Sequence, residues 1–425
     1  MVLRTQNDKL ALLRGRGDGT FAPDVRLPTA RQPSFVTTGD FNTDGVSDVV
    51  TLQFQSEWEG RDRKDARVWL GGPGRTTQTL PKGPHGFVAT GDLDGDGWTD
   101  ALSWTPSGDN RIWMNRGGPG GLSARELIAT ANYYVRSLQI LHVDADATLD
   151  VVLYTFNATY VLLGNGDGTL RPAVALPLGN SVFHVESGDV NKDGKPDLVL
   201  SALSSTRDAT EVRLLLGRGD GSFEPPLVLL SIGNTREPRP VLADLDRDGA
   251  LDVVVMRVEP VVSAGVLMGR GDGSFTSGPT LSLGDDFVGE ALGLADLDQD
   301  GFPDAVYCGT APSGPRVLQV LKGTGGGGFT HVGSYPTEAS CSGLTLVDMD
   351  EDGWPDVLGA SWSNDSVSLW KGLGQGVLAP ERSFGTYLYY EGIALSLEVL
   401  DANGDGRLDI IAGRANPLSA LLLQR

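Results

Sequence analysis

The chain of 425 residues carries a formal charge of −21, and 40% of its residues are hydrophobic. No stretch approaches the roughly 18 consecutive apolar residues of a membrane-spanning helix, so we expect no membrane insertion. A surface this acidic repels a phosphate backbone, which excludes nucleic-acid binding of the ordinary basic kind. Glycine is frequent, at 58 residues, but glycine and proline together stay below the share typical of disorder. The glycines therefore predict turns.

The predicted elements recur in a fixed order along the chain. The chain opens with a strand pattern at 9–14, a Gly-Asp-Gly turn and Phe21. Each later unit begins with a short strand such as 87–91, an acidic loop and a run rich in β-branched residues such as 253–255. A third run ending in glycine, such as 161–164, follows, and then another Gly-Asp-Gly turn and a fourth run. Short strands between glycine-rich turns, without helical periodicity, predict an all-β fold.

The acidic loop is a nine-residue motif with Asp or Asn at position 3, Asp at positions 1, 5 and 9, and Gly at position 6. Its seven intact copies begin at Asp40, Asp92, Asp189, Asp244, Asp296, Asp348 and Asp401. An eighth copy, Asp144-Ala-Asp146-Ala-Thr-Leu-Asp150, is shorter and lacks the glycine. The copies begin 45 to 55 residues apart, so eight units account for nearly the whole chain and predict a single domain over residues 1–425.

Four strands in each unit of about 50 residues, repeated eight times, predict an eight-bladed β-propeller of four-stranded blades. Seven blades with a leftover repeat is the alternative. The chain ends with a first strand, an acidic loop and the runs 408–411 and 418–422, without a fourth strand. We expect the N-terminal strands to complete the last blade, because this closure leaves no open sheet edge.

The acidic loops predict calcium sites. Alternate oxygen-bearing side chains converge as the chain curls, and Gly at position 6 permits the sharp turn. Hard oxygen ligands in this number suit Ca²⁺ better than Mg²⁺. We expect the position-7 carbonyl and the position-9 aspartate to complete each shell. An EF-hand is excluded, because position 12 falls in a hydrophobic strand and never holds the required Glu.

The expected ligands fall into seven sets of five. They are Asp40, Asn42, Asp44, Val46 and Asp48; Asp92, Asp94, Asp96, Trp98 and Asp100; Asp189, Asn191, Asp193, Lys195 and Asp197; Asp244, Asp246, Asp248, Ala250 and Asp252; Asp296, Asp298, Asp300, Phe302 and Asp304; Asp348, Asp350, Asp352, Trp354 and Asp356; and Asp401, Asn403, Asp405, Arg407 and Asp409. Seven bound ions would change the charge from −21 to about −7, an ordinary value for a soluble protein. We expect the ions to be structural, and the degenerate loop of Asp144, Asp146 and Asp150 to be empty or poorly occupied.

These motifs resemble the FG-GAP/VCBS repeats of integrin α-subunit propellers and of many bacterial surface proteins. The resemblance covers essentially the whole chain and rests on the specific loop motif. It implies Ca²⁺ in the loop that joins the first two strands of each blade, and ligand binding at the opposite face. Relatives include seven-bladed integrin heads, fungal lectins and eight-bladed polysaccharide lyases. The regular units and the broken loop depart from the family pattern, which leaves blade number and metal count open.

The segments opposite the acidic loops vary in length and chemistry, as binding loops on a rigid scaffold do. Their aromatic and basic residues suit sugar stacking or a protein contact, although packing between blades is an equal alternative. The candidate ligand-face residues are Trp58, Trp104, Tyr133, Tyr134, Arg136, Arg236, Arg239, Trp362, Tyr389 and Tyr390.

Catalysis has little support in the sequence. The chain has four histidines and no nucleophile elbow, zinc-protease helix or phosphate-binding loop. A lyase needs a base and a charge neutraliser on one face, and the only candidate cluster is Tyr133, Tyr134, Arg136 and His184. Three Arg-Gly-Asp tripeptides, such as 218–220, fall in the turn after the third strand, where Gly-Asp-Gly suits the backbone.

The sequence therefore predicts an extracellular or cell-surface, monomeric calcium-binding module that recognises glycans or proteins without catalysis. A polysaccharide lyase or other carbohydrate-active enzyme and a purely structural repeat domain are the alternatives. The extracellular placement follows from calcium affinities of about 10⁻⁴–10⁻³ M for such modules, although no signal peptide is visible. Cys308 and Cys341 are either bridged or two buried free thiols.

Overall fold

The structure is a computed structural model. The residues that it describes are 9–12, 25–28, 33–43, 45–53, 65–70, 77–79, 87–104, 111–119, 121–131, 135–155, 158–178, 182–206, 208–232, 239–257, 263–279, 281–282, 288–310, 316–337, 343–361, 366–385, 395–400 and 408–414. Within these ranges every regular element is a β-strand, which confirms the all-β prediction. None of the described segments forms a helix that is long and apolar enough to span a membrane.

Seven antiparallel sheets have their strands in chain order, each strand hydrogen-bonded to the next. Sheet 1 contains β3 (Pro33–Gly39), β4 (Asp48–Gln53), β5 (Asp65–Trp69) and β6 (Thr77–Thr79). Sheet 2 contains β7 (Phe87–Gly91), β8 (Asp100–Trp104), β9 (Arg111–Asn115) and β10 (Glu126–Thr130). Sheet 3 contains β11 (Val135–Leu141), β12 (Asp150–Thr155), β13 (Thr159–Leu162) and β14 (Val174–Ala175). Sheet 4 contains β15 (Val182–Gly188), β16 (Asp197–Leu203), β17 (Thr210–Leu215) and β18 (Leu227–Ile232).

The remaining sheets follow the same pattern. Sheet 5 contains β19 (Pro240–Ala243), β20 (Asp252–Arg257) and β21 (Ser263–Gly269), and its outermost position is shared by β22 (Phe275–Ser277) and β23 (Leu281–Ser282). Sheet 6 contains β24 (Val288–Ala295), β25 (Asp304–Thr310), β26 (Arg316–Gly323) and β27 (Phe329–Thr337). Sheet 7 contains β28 (Gly343–Val347), β29 (Asp356–Ser361), β30 (Ser366–Trp370) and β31 (Arg382–Gly385). Two hairpins complete the described strands, namely β1 (Lys9–Leu12) with β2 (Val25–Pro28), and β32 (Leu395–Leu400) with β33 (Asp409–Arg414).

The core lies between neighbouring sheets, and the second strands show why. Successive strand residues point to opposite faces, and all six residues of β12 are buried. Val151 and Leu153 pack in a cluster with residues of sheet 2, whereas Val152 and Tyr154 pack in a cluster with residues of sheet 4. A continuous apolar run is therefore what a strand with sheets on both sides requires.

Several first strands contact the first strand of the neighbouring sheet. β3 contacts β7, which contacts β11; β15 contacts β19, and β24 contacts β28. At the end of the chain β28 contacts β32, both β32 and β33 contact β3, and β33 also contacts β1. Four-stranded antiparallel sheets that pack face to face with their first strands adjacent form a β-propeller.

Local sequence explains one departure from the predicted strand positions. The predicted fourth run of sheet 4 begins near Phe223, but β18 begins at Leu227, and Phe223 makes only an isolated bridge to Gly217. Residues 225–226 are both proline. Proline has no N–H to donate to a strand ladder, so regular pairing resumes only after them.

One of the two alternatives for the cysteines is wrong. Cys308 lies in β25, is buried and is disulfide-bonded, so it is not a free thiol. The first strands of sheets 6 and 7, β24 and β28, are in contact, which brings neighbouring repeats close enough for a bridge. Cys341, the only other cysteine of the sequence, lies outside the described residues.

Candidate metal centres

Each acidic loop is the hairpin loop between the first and second strands of its sheet. The position-9 aspartate opens the second strand in every case, as Asp100 does in β8 and Asp252 does in β20. It pairs with the last residue of the first strand, Gly91 or Ala243 in these two sheets. The same register in each sheet therefore places every acidic loop at the same end of its sheet.

The loop backbone turns through two left-handed residues, at positions 4 and 6. At position 6 the residue is always glycine, with φ between 79° and 91° in the intact described loops. Among the described position-4 residues, one is glycine, Gly95, with φ 70°. The other position-4 residues are non-glycine with φ between 42° and 62°, namely Thr43, Lys192, Arg247, Gln299 and Glu351. Non-glycine residues seldom adopt this conformation, and they do so mostly where surrounding structure imposes it.

Hydrogen bonds from the backbone hold the loop carboxylates in place. In the Asp296 loop, the N–H of Gly301 donates to Oδ2 of Asp296 (2.7 Å), and the N–H of Asp300 donates to Oδ1 of both Asp296 (3.1 Å) and Asp298 (3.2 Å). The N–H of Phe302 then donates to Oδ1 of Asp300 (2.9 Å). Equivalent bonds recur in the Asp189 and other loops. The loop thus folds around its own aspartates.

These bonds bring carboxylates together in four loops. In each group, one oxygen from each of three aspartates lies within 4.8 Å of the others. Three groups join positions 1, 3 and 5, and the fourth joins positions 1, 3 and 9. The groups are Asp92, Asp94 and Asp96; Asp244, Asp246 and Asp248; Asp296, Asp298 and Asp300; and Asp348, Asp350 and Asp356.

Two of these clusters contain a carboxylate oxygen with no partner. Oδ1 of Asp244 and Oδ1 of Asp350 are buried and accept no hydrogen bond. A buried, unpartnered carboxylate oxygen beside two further carboxylates is costly unless a cation lies among them. The donors are hard, anionic oxygens, which suit Ca²⁺ and not a thiolate-binding metal. The residues of these loops therefore fit a calcium ion.

The position-9 aspartate is buried and ties the loop to the third strand. Its Oδ2 accepts the N–H of the position-2 residue at 2.7–3.0 Å in all seven sheets. In sheets 2 to 7 its Oδ1 accepts the N–H of the glycine at the end of the third strand, here called the closing glycine, at 2.6–2.9 Å. The closing glycines are Gly117, Gly164, Gly217, Gly269, Gly323 and Gly372. Burial raises the pKa of Asp100, Asp252 and Asp356 to about 6.

The closing glycine is required by a close approach of two backbone segments. A Cβ at any closing glycine would lie 2.0–2.6 Å from the carbonyl oxygen of the position-8 residue of the acidic loop. We predict that Gly269→Ala destabilises the protein by about 1–3 kcal/mol, because the clash is with backbone and not with a movable side chain. The measurement is the midpoint of urea unfolding. Gly326→Ala is the matched control, since no atom lies within 4 Å of its Cβ position. Equal midpoints for the two variants would contradict the prediction.

In sheets 2, 6 and 7 the residue before the closing glycine is basic and pairs with carboxylates of the acidic loop. Lys322 pairs with Asp298 and, at 2.7 Å, with Asp300. Lys371 pairs with Asp350 and Asp352 in the same way, and these hydrogen bonds raise the pKa of Lys371 to about 12. In sheet 2 the corresponding partners are Arg116 and Asp94. Each of these basic residues directly precedes the closing glycine of its sheet.

Position-4 side chains connect the acidic loops of consecutive sheets. From sheet 4 to sheet 7, each donates a hydrogen bond to a backbone carbonyl in the loop of the following sheet. The contacts are Lys192 Nζ to Asp248, Arg247 Nε to Gly301, and Gln299 Nε2 to Gly353. The Arg247 guanidinium also lies over the ring of Phe302, 4.7 Å from its centroid. The left-handed residue at position 4 therefore shapes its own loop and also links that loop to the next one.

The degenerate loop keeps the two hydrogen bonds of the position-9 aspartate, here called the tether, but it is not one of the four carboxylate clusters. Asp150 accepts the N–H of Val143 (2.7 Å) and of the closing glycine Gly164 (2.8 Å), as position 9 does elsewhere. The Arg171 guanidinium lies 3.9 Å from Asp144 and 3.7 Å from Asp146. In this loop a basic side chain faces the remaining carboxylates.

The predicted metal ligands are described in part. Asp44, Asp401, Asn403, Asp405 and Arg407 lie outside the described residues, and Asp409 opens β33 with no description of its side chain. The carbonyl of position 7 as a ligand stays a prediction. The remaining aspartates and asparagines lie in the loops where the sequence predicts them.

Most of the predicted ligand face lies outside the described residues. These residues are Trp58, Tyr133, Tyr134, Arg236, Trp362, Tyr389 and Tyr390. Trp104 ends β8 and Arg136 lies in β11, but their side chains are not described. Arg239 is exposed just before β19. The grouping of these residues into one surface stays a prediction.

The one histidine of the lyase hypothesis is buried. His184 lies in β15 and pairs through Nε2 with Oε1 of Glu186 at 2.7 Å, and both residues are 8% exposed. Its proposed companions Tyr133 and Tyr134 lie outside the described residues. The described part of the chain therefore gives this cluster no support.

The Arg-Gly-Asp segments 218–220 and 270–272 form turns, as the sequence predicts, and the third, 16–18, lies outside the described residues. In 218–221 both glycines are left-handed, with φ 80° and 77°. Oδ1 of Asp220 accepts hydrogen bonds from the backbone N–H (2.9 Å) and the hydroxyl (2.6 Å) of Ser222. Asp272 and Ser274 repeat the arrangement. The aspartate side chain is therefore used within its own turn.

Sequence reasoning missed three features of the loops. These are the position-9 tether, the left-handed position 4 and the basic residue before the closing glycine. The last had a visible signal, because Arg116, Lys322 and Lys371 occupy the same place in their repeats and accompany Asp at position 3. The tether could not be recognised from the sequence, because the same position-9 aspartate is also a predicted metal ligand.

Three comparisons place the chain among known proteins. A profile described as FG-GAP-like repeat matches residues 1–51, 92–153, 142–200 and 348–412, which is more than half of the chain. No curated protein matches its sequence. Among solved structures, a lectin of Agrocybe aegerita that recognises non-reducing terminal N-acetylglucosamine is 16% identical, with a TM-score of 0.56 over 83% of this chain and 93% of the lectin.

Two further structures resemble this one. Sqt1 of Chaetomium thermophilum, bound to the N-terminus of ribosomal protein L10, is 12% identical with a TM-score of 0.55 over 96% of this chain and 100% of that one. The periplasmic gluconolactonase of Pseudomonas aeruginosa is 15% identical with a TM-score of 0.48 over 96% and 97%. At these identities the similarity to the lectin and to Sqt1 concerns the fold alone. With the repeat motif, the sheet arrangement and the profile match in agreement, the chain belongs to the FG-GAP-like repeat family.

Proposed function

We propose that the protein is a calcium-stabilised propeller that recognises a glycan or protein ligand without catalysis. The observation that carries the calcium part is the convergence of carboxylates in four acidic loops, with buried Asp244 and Asp350 oxygens that have no hydrogen-bond partner. Seven ions, one in each intact loop, would offset the repulsion among aspartates. The ions are structural, because each loop joins the two innermost strands of its sheet.

We further propose that eight blades close the ring, with β1 and β2 completing the sheet of β32 and β33. The contacts of β33 with both β1 and β3 support this closure. A closed ring has no open sheet edge to pair with another chain. It therefore suits a monomer with one rigid face for calcium and the opposite face for a ligand.

An extracellular or cell-surface location is consistent with two features. The disulfide at Cys308 is of a kind that persists in oxidising compartments. Calcium sites of extracellular modules bind at about 10⁻⁴–10⁻³ M, a concentration that cytosol does not supply. We propose this location on those grounds.

The recognition role draws on the chemistry of the variable segments and on the similar fold of a lectin. The test is a glycan array and a surface-protein binding screen, each run in calcium and in EDTA. Calcium-dependent binding to one ligand class is the expected result. Binding to nothing in either screen would favour a purely structural domain. Release of unsaturated product from uronate polymers, followed by ultraviolet absorbance, would show a lyase and overturn the non-catalytic proposal.

A further inference from the structure

The residue before the closing glycine varies with the charge of its acidic loop. In sheets 1 and 4, where position 3 is Asn, this residue is Leu, as in the pair Asn42 with Leu70 and the pair Asn191 with Leu216. Where position 3 is Asp, it is basic in sheets 2, 6 and 7, as Arg116, Lys322 and Lys371. In sheets 2, 6 and 7 the additional carboxylate at position 3 is thus accompanied by an additional cation.

The structure shows the basic side chains at the carboxylates themselves. Lys322 contacts Asp298 and Asp300, Lys371 contacts Asp350 and Asp352, and Arg116 contacts Asp94. In the Asp350 case, the lysine contacts Oδ2, and Oδ1 remains buried without a partner. The lysine therefore neutralises part of the carboxylate charge, and one carboxylate oxygen of the cluster keeps no hydrogen-bond partner.

Sheet 5 departs from this rule. Its position-3 residue is Asp246, but Met268 precedes its closing glycine. Among the described residues, no lysine or arginine forms an ion pair with Asp244, Asp246 or Asp248. Lys192 approaches the loop but donates to the backbone carbonyl of Asp248. This loop is the one described cluster at positions 1, 3 and 5 without an ion-paired cation.

The loop of sheet 4 differs for another reason. It holds Asn191 in place of the fourth carboxylate, and Lys195 pairs with Asp193 at 3.2 Å. Its negative charge is therefore lower than that of sheet 5 by both a missing acid and a present cation. The loop of sheet 5 is thus the one described loop whose four aspartates have no ion-paired lysine or arginine.

We propose that the residue before the closing glycine sets the calcium affinity of each loop, and that the Asp244 loop of sheet 5 is the tightest site of the protein. The inference rests on the calcium function proposed above. Loops with Arg116, Lys322 or Lys371 bind calcium more weakly but hold their shape better without it, because a tethered cation relieves part of the carboxylate repulsion.

Coulomb's law gives the expected size of the effect. A unit charge about 6 Å from a divalent ion, screened as in water, reduces affinity by about tenfold. A lower effective dielectric constant within the loop increases the effect. The tightest site should therefore separate from the others in a calcium titration.

The test is isothermal titration of the metal-free full chain with calcium alone, on wild type and three variants. Met268→Lys places in sheet 5 the cation that sheets 6 and 7 carry, and should weaken the first equivalent bound by about tenfold. Met268→Leu is the matched control and should leave it unchanged. Lys322→Met removes the cation from sheet 6 and should add a second tight equivalent.

The outcomes separate this inference from the proposal beneath it. No calcium uptake by wild type would overturn the calcium function itself. Uptake near seven equivalents with an unchanged first equivalent in Met268→Lys and no new tight equivalent in Lys322→Met would overturn only the affinity rule. If Met268→Lys fails to fold, as judged by circular dichroism in excess calcium, Lys322→Met alone decides.

Discussion

Chelation of calcium should lower the free energy of unfolding by about 10 kcal/mol. A site with an affinity near 10⁻⁴ M contributes about 1.4 kcal/mol at roughly 1 mM calcium, and seven such sites act together. The physical cause is the repulsion among clustered aspartates, which the ions remove. Thermal melting in calcium and in EDTA measures the effect, and we expect a fall in melting temperature on the order of 10 °C or more.

Two controls distinguish a structural ion from general ionic strength. Magnesium at the same concentration should restore only a small part of the stability, since it prefers octahedral geometry and retains its waters. Sodium chloride at matched ionic strength should restore little as well. An equal melting temperature in calcium and EDTA would contradict a structural role for the loops.

Asp252→Ala should strongly destabilise the metal-free protein. Asp252 is fully buried and accepts the N–H of Leu245 at 2.8 Å and of Gly269 at 2.7 Å. Its removal leaves two buried donors without a partner, and the expected loss is about 2–5 kcal/mol. Urea unfolding in EDTA isolates this tether from any effect on calcium.

Asp150→Ala is the comparison variant. Asp150 makes the same two bonds in the degenerate loop, so its loss in EDTA should be similar. In calcium the two variants should differ, because only Asp252 is also a predicted ligand of an intact loop. Glu224→Gln, at an exposed side chain, controls for loss of an acid in general. A loss from Asp252→Ala in EDTA no larger than that control would show that the tether contributes nothing.

Much of the fold could be predicted because the repeat is regular and each strand has a local signal. Strand β7 has the predicted bounds of 87–91, and β12 shows the β-branched run that burial on both faces requires. The boundary at β18 could not be read from hydrophobicity, because two prolines shifted the ladder. The proposed closure of the ring depends on contacts between the two ends of the chain, such as that of β33 with β1, and these ends are far apart in the sequence.

The acidic loops could be predicted as a set, but the contacts of their carboxylates with particular cations could not. The motif gives the oxygen-bearing residues at positions 1, 3 and 5, whereas the cations come from the third strand, more than 20 residues away in the pairs Asp94–Arg116 and Asp298–Lys322. Only the fold brings these partners together. The disulfide at Cys308 has the same origin, since it depends on neighbouring sheets and not on spacing within one repeat.

The most direct test is the amount of calcium held by the full chain. Metal-free protein is dialysed against about 1 mM calcium, and bound metal is measured by atomic emission against protein concentration. Seven equivalents per chain are expected, with the Asp144 loop contributing none. One equivalent or fewer would mean that the carboxylate clusters are solvated turns and that no divalent ion holds the ring together.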